Sequence, residues 1–326
     1  MPLSFSRACR VFAATIVGML ALSVVATAET ELRVALVSRT IFYLPVWTAE
    51  ARGFFREAGL APKLEIYDGA EKILTDLAAG TQHIGITSIE NVVAEAYSGN
   101  GRFRIVAATA QRPPHFIIAQ PEIKALADLK GKLIGVVSMQ EGTTFFVKDI
   151  ARKGGFDVAD VKVQAVGGSP TRARLLEERK IDAGLQPYPL SYEAEAAGFS
   201  NLGAIADLVP DYQFTSVVVD QTWARANRPV LVAFLRALRR GTEYMFAHPD
   251  ESAELAAREL RTTPANARRA LEDTARMDVL ARDLSITDKS LMRVFDSVKS
   301  AGLVPADAAY DRAKFVDESY LADSRK

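Results

Sequence analysis

Apolar runs of strand length alternate with helical patterns through the first two thirds of the chain, and polar loops follow most of the runs. The first unit sets the plan. Leu32 to Val37 is an apolar, β-branched run, and the polar loop Ser38-Arg39-Thr40 follows it. Beyond Tyr43-Leu44-Pro45, the residues Trp47, Ala51, Phe54, Phe55 and Ala58 recur at helical spacing. Glu50, Arg56 and Glu57 take the other side, and Gly59 is placed to stop the helix. The polar loop thus sits at the carboxyl end of its strand, where open α/β sheets bind their ligands.

The plan repeats. Leu64 to Tyr67 reads as a second strand, Asp68-Gly69 as its turn, and Ile73, Leu74, Leu77 and Ala78 as the buried face of a helix stopped by Gly80. Ile84 to Thr87 is a third strand, and Ser88 is placed to cap a helix from Asn91 to Tyr97. Phe103 to Ala108 is a fourth apolar run. Gln111-Arg112-Pro113-Pro114 interrupts the pattern before a strand at Phe116–Ala119. Strand–loop–helix units then resume with Leu133 to Val137, Val161 to Val166 and Ile181 to Leu185. Their loops are Ser138 to Thr144, Gly167-Gly168-Ser169 and Gln186, and Ser169-Pro170 makes a good helix start. After one more strand, Phe214 to Val219, the chain is almost wholly helical. Helix end and short strand recur as Ala79–Ile86 and Glu178–Leu185, which hints at two similar halves with a cleft between them.

Composition adds bounds. With 326 residues, 49% hydrophobic and 25% charged, the chain has room for two domains. Lys+Arg and Asp+Glu are both 40, and no basic tract stands out, which argues against nucleic acid as a partner. At the N-terminus, Arg7 and Arg10 precede the apolar stretch Val11–Val25, and Ala26-Thr27-Ala28 is an A-x-A cleavage site. The stretch is roughly 15 residues, against the ~20 that span a bilayer. The expectation is a signal peptide over 1–28 and a mature chain starting near Glu29. Cys9 is the only cysteine and falls inside that signal, so the mature chain would hold no disulfide, thiolate metal site or cysteine nucleophile.

Catalytic patterns are scarce. His83, His115 and His248 have no partner at metal-ligand spacing, and each reads as a structural or surface residue. Gly167-Gly168-Ser169 is too short for a phosphate loop, and there is no G-x-S-x-G elbow. No cofactor or metal is expected. Polar residues instead gather in the loops after strands, several leading directly into helices whose free N–H groups would face a ligand. The candidate binding residues are Ser38, Arg39, Thr40, Tyr43, Gly69, Ser88, Glu90, Asn91, Gln111, Glu141, Thr143, Thr144, Ser169 and Gln186. Taken singly, each Ser or Thr is as well explained as a helix cap. Arg39 is the obvious countercharge for an acid. Glu90 and Glu141 pull the other way, toward an amine or the donor edge of an aminopyrimidine. Phe42, Tyr43, Tyr188 and Tyr212 could stack on a flat ligand or simply pack.

These features together resemble the periplasmic solute-binding proteins of the nitrate/sulfonate/taurine and thiamine-precursor group, which serve ABC importers. The likeness is carried by Pro45 with Ala49, Gly53-Phe54-Phe55 and Gly59-Leu60, then by Leu77, Gly80 and Ile84-Gly85. It continues through Leu129-Lys130-Gly131-Lys132, Ile134-Gly135-Val136, Ile181-Asp182-Ala183, the strand Ser216 to Val219 and Phe234 to Leu238. His83 departs from the acidic residue usual there. The resemblance implies a type II periplasmic-binding-protein fold: two α/β domains, each an open, mostly parallel sheet flanked by helices, with a double-crossover hinge and a helical C-terminus. It implies domain 1 at 29–120 and 214–326, domain 2 at 121–213, and crossovers near Ala119–Lys124 and Asp211–Thr215. It further implies a monomeric, periplasmic, non-enzymatic receptor for a small organic anion, partnered by a permease and its ATPase. An aminopyrimidine or amine receptor is the alternative, and an enzyme using Glu90 or Glu141 as general base the more distant one.

Overall fold

The computed structural model describes residues 29–67 and 69–326; the expected signal segment, with Cys9, and Asp68 lie outside them. The chain forms two five-stranded sheets. In the first, β1 (Thr30–Leu36), β2 (Leu60–Ile66), β3 (Ile84–Thr87), β4 (Phe103–Ala110) and β10 (Thr215–Asp220) take the order β2-β1-β3-β10-β4. The second holds β5 (His115–Ala119), β6 (Leu133–Val136), β7 (Lys162–Ala165), β8 (Ala183–Pro187) and β9 (Ser200–Ala204), ordered β7-β6-β8-β5-β9. In each sheet one strand runs against its neighbours: β10 is antiparallel to β3 and β4, and β5 to β8 and β9. The other pairings are parallel, as helical crossovers demand.

Strand β5 corrects the expected crossover. It lies in the second sheet, so the first passage between sheets is the Gln111–Pro114 segment, not Ala119–Lys124. Two prolines that cannot donate to a ladder mark this break. The return passage runs beside it. Phe214 N–H donates to Ala110 O (2.9 Å), and Gln213 Nε2 donates to Ala110 O (3.1 Å) and Thr215 O (2.8 Å). Strand β9 was not foreseen: Ser-Asn-Leu-Gly-Ala is a half-exposed edge with no apolar run to betray it.

The C-terminal helices complete the first half and reach the second. Helix Arg228–Ala247 packs on helix Leu44–Ala51 so closely that a Cβ on Gly241 would lie 2.4 Å from Pro45 O and 2.8 Å from Ala49 Cβ. Helix Pro264–Arg276 meets helix Leu190–Ala196 of the second half. There Tyr192 donates to Asp273, and Arg269 lies over the Tyr192 ring at 3.9 Å. On another face Arg293 pairs with the nearly buried Asp149 at 2.8 Å. The two halves are therefore in direct polar contact.

Gly241→Ala should test the helix contact. Forcing a methyl into a backbone-lined seam costs about 1–3 kcal/mol, to be read as a lower urea midpoint with an unchanged slope.

Candidate functional site

The groove between the sheets narrows to a small cavity of about 30 Å³. The first half supplies Val37, Ser38, Phe42, Tyr43 and Ser88; the second supplies Val137, Glu141, Gly142, Thr143, Gly168, Ser169 and Arg172. The passages between sheets supply the floor, with His115, Phe214 and Thr215. The walls thus come from the loops and first helical turns that follow strands, and from the hinge. Most of the lining is apolar, with a few polar atoms converging on it, the usual make-up of a small-molecule site.

The helices that open onto this cavity begin without side-chain caps. Helices Glu90–Tyr97, Gly142–Gly154 and Ser169–Glu177 have none, and their N-cap residues are Ile89, Glu141 and Gly168. Three helices facing elsewhere do carry caps: Asp220 accepts from Thr222 and Trp223 N–H, and Thr263 and Thr287 act likewise. Ser88 and Ser169 are therefore not the caps expected of them. Ser88 Oγ is buried on the cavity wall, and Ser169 Oγ accepts from Arg172 Nη2 at 2.9 Å. Their hydroxyls belong to the cavity rather than to helix ends.

Glu141 ties the halves together. From the second half it reaches across and accepts the N–H of Ala70, at the start of helix Ala70–Ala79 in the first half, at 2.6 Å. That helix also lacks a cap of its own, so Glu141 serves as one from outside. Burial pushes its carboxyl up to about 8, against the Ala70 hydrogen bond and Arg172, which favour the anion; Glu71 and Glu90 add to the rise. Glu90 sits just behind Gly142, where a Cβ would lie 2.7 Å from Glu90 Oε1. Tyr212 donates to that same oxygen at 2.7 Å, while Oε2 is buried without a hydrogen-bond partner among the described residues. Burial raises Glu90 to about 7, although the Tyr212 bond opposes it. At neutral pH, Glu141 is mostly an uncharged acid and Glu90 is poised between its two forms.

Among the described lining residues the cation is Arg172, which the sequence reading passed over. It is fully buried on the first turn of its helix. Its Nε and Nη2 donate to Leu185 O (3.2 and 2.8 Å), and its Nη1 donates to Gly167 O (2.8 Å). Carbonyls, with Ser169 Oγ, take up these donors, as a buried guanidinium requires. Its place three residues past Ser169 was the available signal. His115 was also missed. It is buried between Phe214 (4.9 Å) and Phe42 (6.4 Å), and its Nδ1 lacks a partner among the described residues. Burial, then Arg172, hold it well below the usual histidine range, so it is neutral.

The expected site residues divide. Ser38, Tyr43, Ser88, Glu141, Thr143 and Ser169 line the cavity. Thr40 is buried behind it, 3.0 Å from Ser38 Oγ. Glu90 and Asn91 lie in the layer beneath, and Gly69 stands at the rim, 3.8 Å from Glu141 Oε1 when a Cβ is built on it. Gln186 is buried, and its amide can donate to Ser169 O and accept from Ala173 N–H, holding the loop rather than facing the cavity. Thr144 bonds Ser138 O and lines an outer groove. Gln111 donates to Asp278 O at 3.1 Å, away from the cavity. Arg39 points outward as well: it pairs with Glu259 at 3.2 Å and lies 5.8 Å from the Trp47 ring. It is not the countercharge of this cavity. His83 is structural, stacked on Trp223 at 5.3 Å and accepting the Arg33 N–H.

Residues 42–252 match the NMT1/THI5-like family, well over half of the chain. The chain belongs to that family. A Brucella abortus (strain 2308) relative named only as a candidate binding protein is 27% identical over 223 residues, covering 67% of this chain and 68% of the relative. Legionella pneumophila 4-amino-5-hydroxymethyl-2-methylpyrimidine phosphate synthase is 26% identical over 224 residues, 66% of this chain and 68% of that one. Among solved structures, a Bordetella bronchiseptica RB50 protein superposes with a TM-score of 0.77 at 22% identity, over 91% of this chain and 98% of that one. The ligand-binding component of an ABC-type import system from Staphylococcus aureus gives 0.76 at 12% identity, over 91% and 99%. The periplasmic aliphatic sulphonate binding protein of Escherichia coli gives 0.68 at 14%, over 90% and 99%. The two-lobed fold of this NMT1/THI5-like chain is thus the periplasmic-binding-protein fold, type II, with its helical C-terminus. Binding proteins and enzymes both occur among the similar chains. Among the described residues, no helix is long and apolar enough to cross a membrane.

Glu141→Gln keeps the oxygen that accepts from Ala70 but cannot ionise. A carboxyl raised in the folded state stabilises it fully below the unfolded value of 4.5, and that contribution is lost as pH rises through about 8. The melting temperature of the parent should therefore fall from pH 5 to pH 8 more steeply than that of Glu141→Gln, measured without ligand. Equal slopes would remove Glu141 as a titrating group.

Proposed function

We propose that this chain is the exported receptor of an ABC importer, capturing a small organic acid between its lobes and presenting the closed form to a permease and its ATPase. The observation that carries this is a cavity between the two lobes whose described lining includes the buried Arg172 and is flanked by uncapped helix N-termini. Glu141 and Glu90 had weighed against an anion. Their raised values remove most of that objection, since a protonated acid does not repel an anion and can donate to it. Phe42, Tyr43 and Phe214 offer a flat apolar wall for the body of the solute. The N-terminal signal pattern and the binding proteins among the similar folds support a periplasmic setting.

A second reading has its own support. The pyrimidine synthases among the relatives, and two buried acids beside one cavity, favour an aminopyrimidine ligand.

Proton exchange separates the two. The chain from Glu29 onward would be screened by thermal shift against sulfonates, carboxylates and aminopyrimidines, then titrated calorimetrically at pH 8 in two buffers of different ionisation enthalpy. An anion raises the Glu141 value further, so its binding takes up protons and weakens above pH 8. A protonatable aminopyrimidine does the reverse and releases them. Arg39→Ala should leave affinity within about twofold, as expected for loss of an exposed pair. Turnover of any bound compound, abolished in Glu90→Gln or Glu141→Gln, would overturn the receptor proposal in favour of an enzyme.

A further inference from the structure

The outer face of the lobe interface carries a groove of about 550 Å³. One wall is helix Gly142–Gly154 of the second half, with the turn Val158–Asp160 beside it. The other wall is helix Asp288–Ser300, which rests on the first half, where the rings of Phe295 and Tyr97 lie 5.2 Å apart. Each wall belongs to a different lobe, so the width of the groove follows the angle between them. One ion pair spans it. Arg293 Nη2 donates to both carboxylate oxygens of Asp149, at 2.8 and 2.9 Å. Both residues line the groove and lie outside the described lining of the cavity between the lobes.

We propose that the Asp149–Arg293 pair is a latch, remote from the solute, that holds the lobes together and sets how often the empty protein opens. The inference rests on lobe motion, which the receptor reading requires, and not on the chemistry of the solute. A nearly buried carboxylate that loses its partner is normally stranded as an uncompensated charge, at high cost. Asp149 escapes that cost. Arg152, three residues on along the same helix, donates to its Oδ1 at 2.6 Å and stays with it whatever the other lobe does. Arg293, about one-third exposed, has water at hand to take its place. Parting the lobes therefore exchanges one charged contact for water, and the pair can be broken and remade.

The test is a spin-label distance measurement, without ligand, on the chain from Glu29 onward, whose sequence holds no cysteine. Labels go on Lys63→Cys and Lys162→Cys, exposed positions on β2 and β7. In strand order these edges lie farthest from the passages between the lobes, so opening displaces them most. The parent should give one short distance. Asp149→Asn and Arg293→Gln should each raise a longer-distance population about fivefold, the upper range for a partly exposed pair. The double variant should match the singles rather than sum them, since all remove one contact. Arg293→Lys, which keeps the charge, should stay near the parent. Unchanged distances in both single variants, a shift to shorter ones, or a parent already open overturns the latch. So does an Arg293→Lys effect as large as that of Arg293→Gln. Asp149→Asn is isosteric and decides the matter alone where Arg293→Gln does not melt cooperatively. Solute binding, read separately by the thermal-shift screen, judges the receptor proposal whichever way the latch falls.

Discussion

One buried hydrogen bond decides what the rest of the site can be. Glu141, on the second lobe, supplies the cap that helix Ala70–Ala79 of the first lobe does not have. A carboxyl placed there must leave water, and leaving water favours its neutral form. Closing the groove and neutralising the acid are consequently one event. Arg172 lies in the wall of the same chamber, with donors held by backbone carbonyls and Ser169 Oγ. The same carboxyl that bridges the lobes also forms part of the chamber wall, so occupancy and closure share an atom set.

Much of the fold was legible because it rests on periodicity. The apolar runs at Leu32, Ile84, Phe103 and Leu133 became strands, and the long helix after Arg228 ran as its spacing implied. What escaped was decided by tertiary contact. Strand β9 pairs only along one edge and stays half exposed, so its sequence carries no apolar signature. The first crossover was set one strand late, because Phe116 to Ala119 reads equally well as the end of one sheet or the start of another.

The site shows the same boundary. The loops after strands were correctly found as the places that meet, since topology alone sends them to one end of each sheet. Which side chain turns inward was not legible. Arg39 lies in the loop after β1 yet swings out to Glu259, while Arg172, inside a helix, turns in because Leu185 and Gly167 offer it carbonyls. His115 looked incidental after its proline pair, but the hinge places it on the floor. Hydroxyls at Ser88 and Ser169 resembled caps by position, and only the start of each helix shows that they are not.

The reversed strand β10 carries a consequence for how the molecule comes into being. It sits between β3 and β4, which the chain supplies more than a hundred residues earlier, so these two remain unjoined until β10 arrives. Every strand of the second sheet is made in the meantime, from His115 to Ala204, as one continuous stretch. During synthesis the second lobe can therefore complete its sheet while the first still waits for its middle, leaving the edges of β3 and β4 open. Unpaired edges of that kind are where a helper protein would bind, and where the chain is most exposed to wrong pairing.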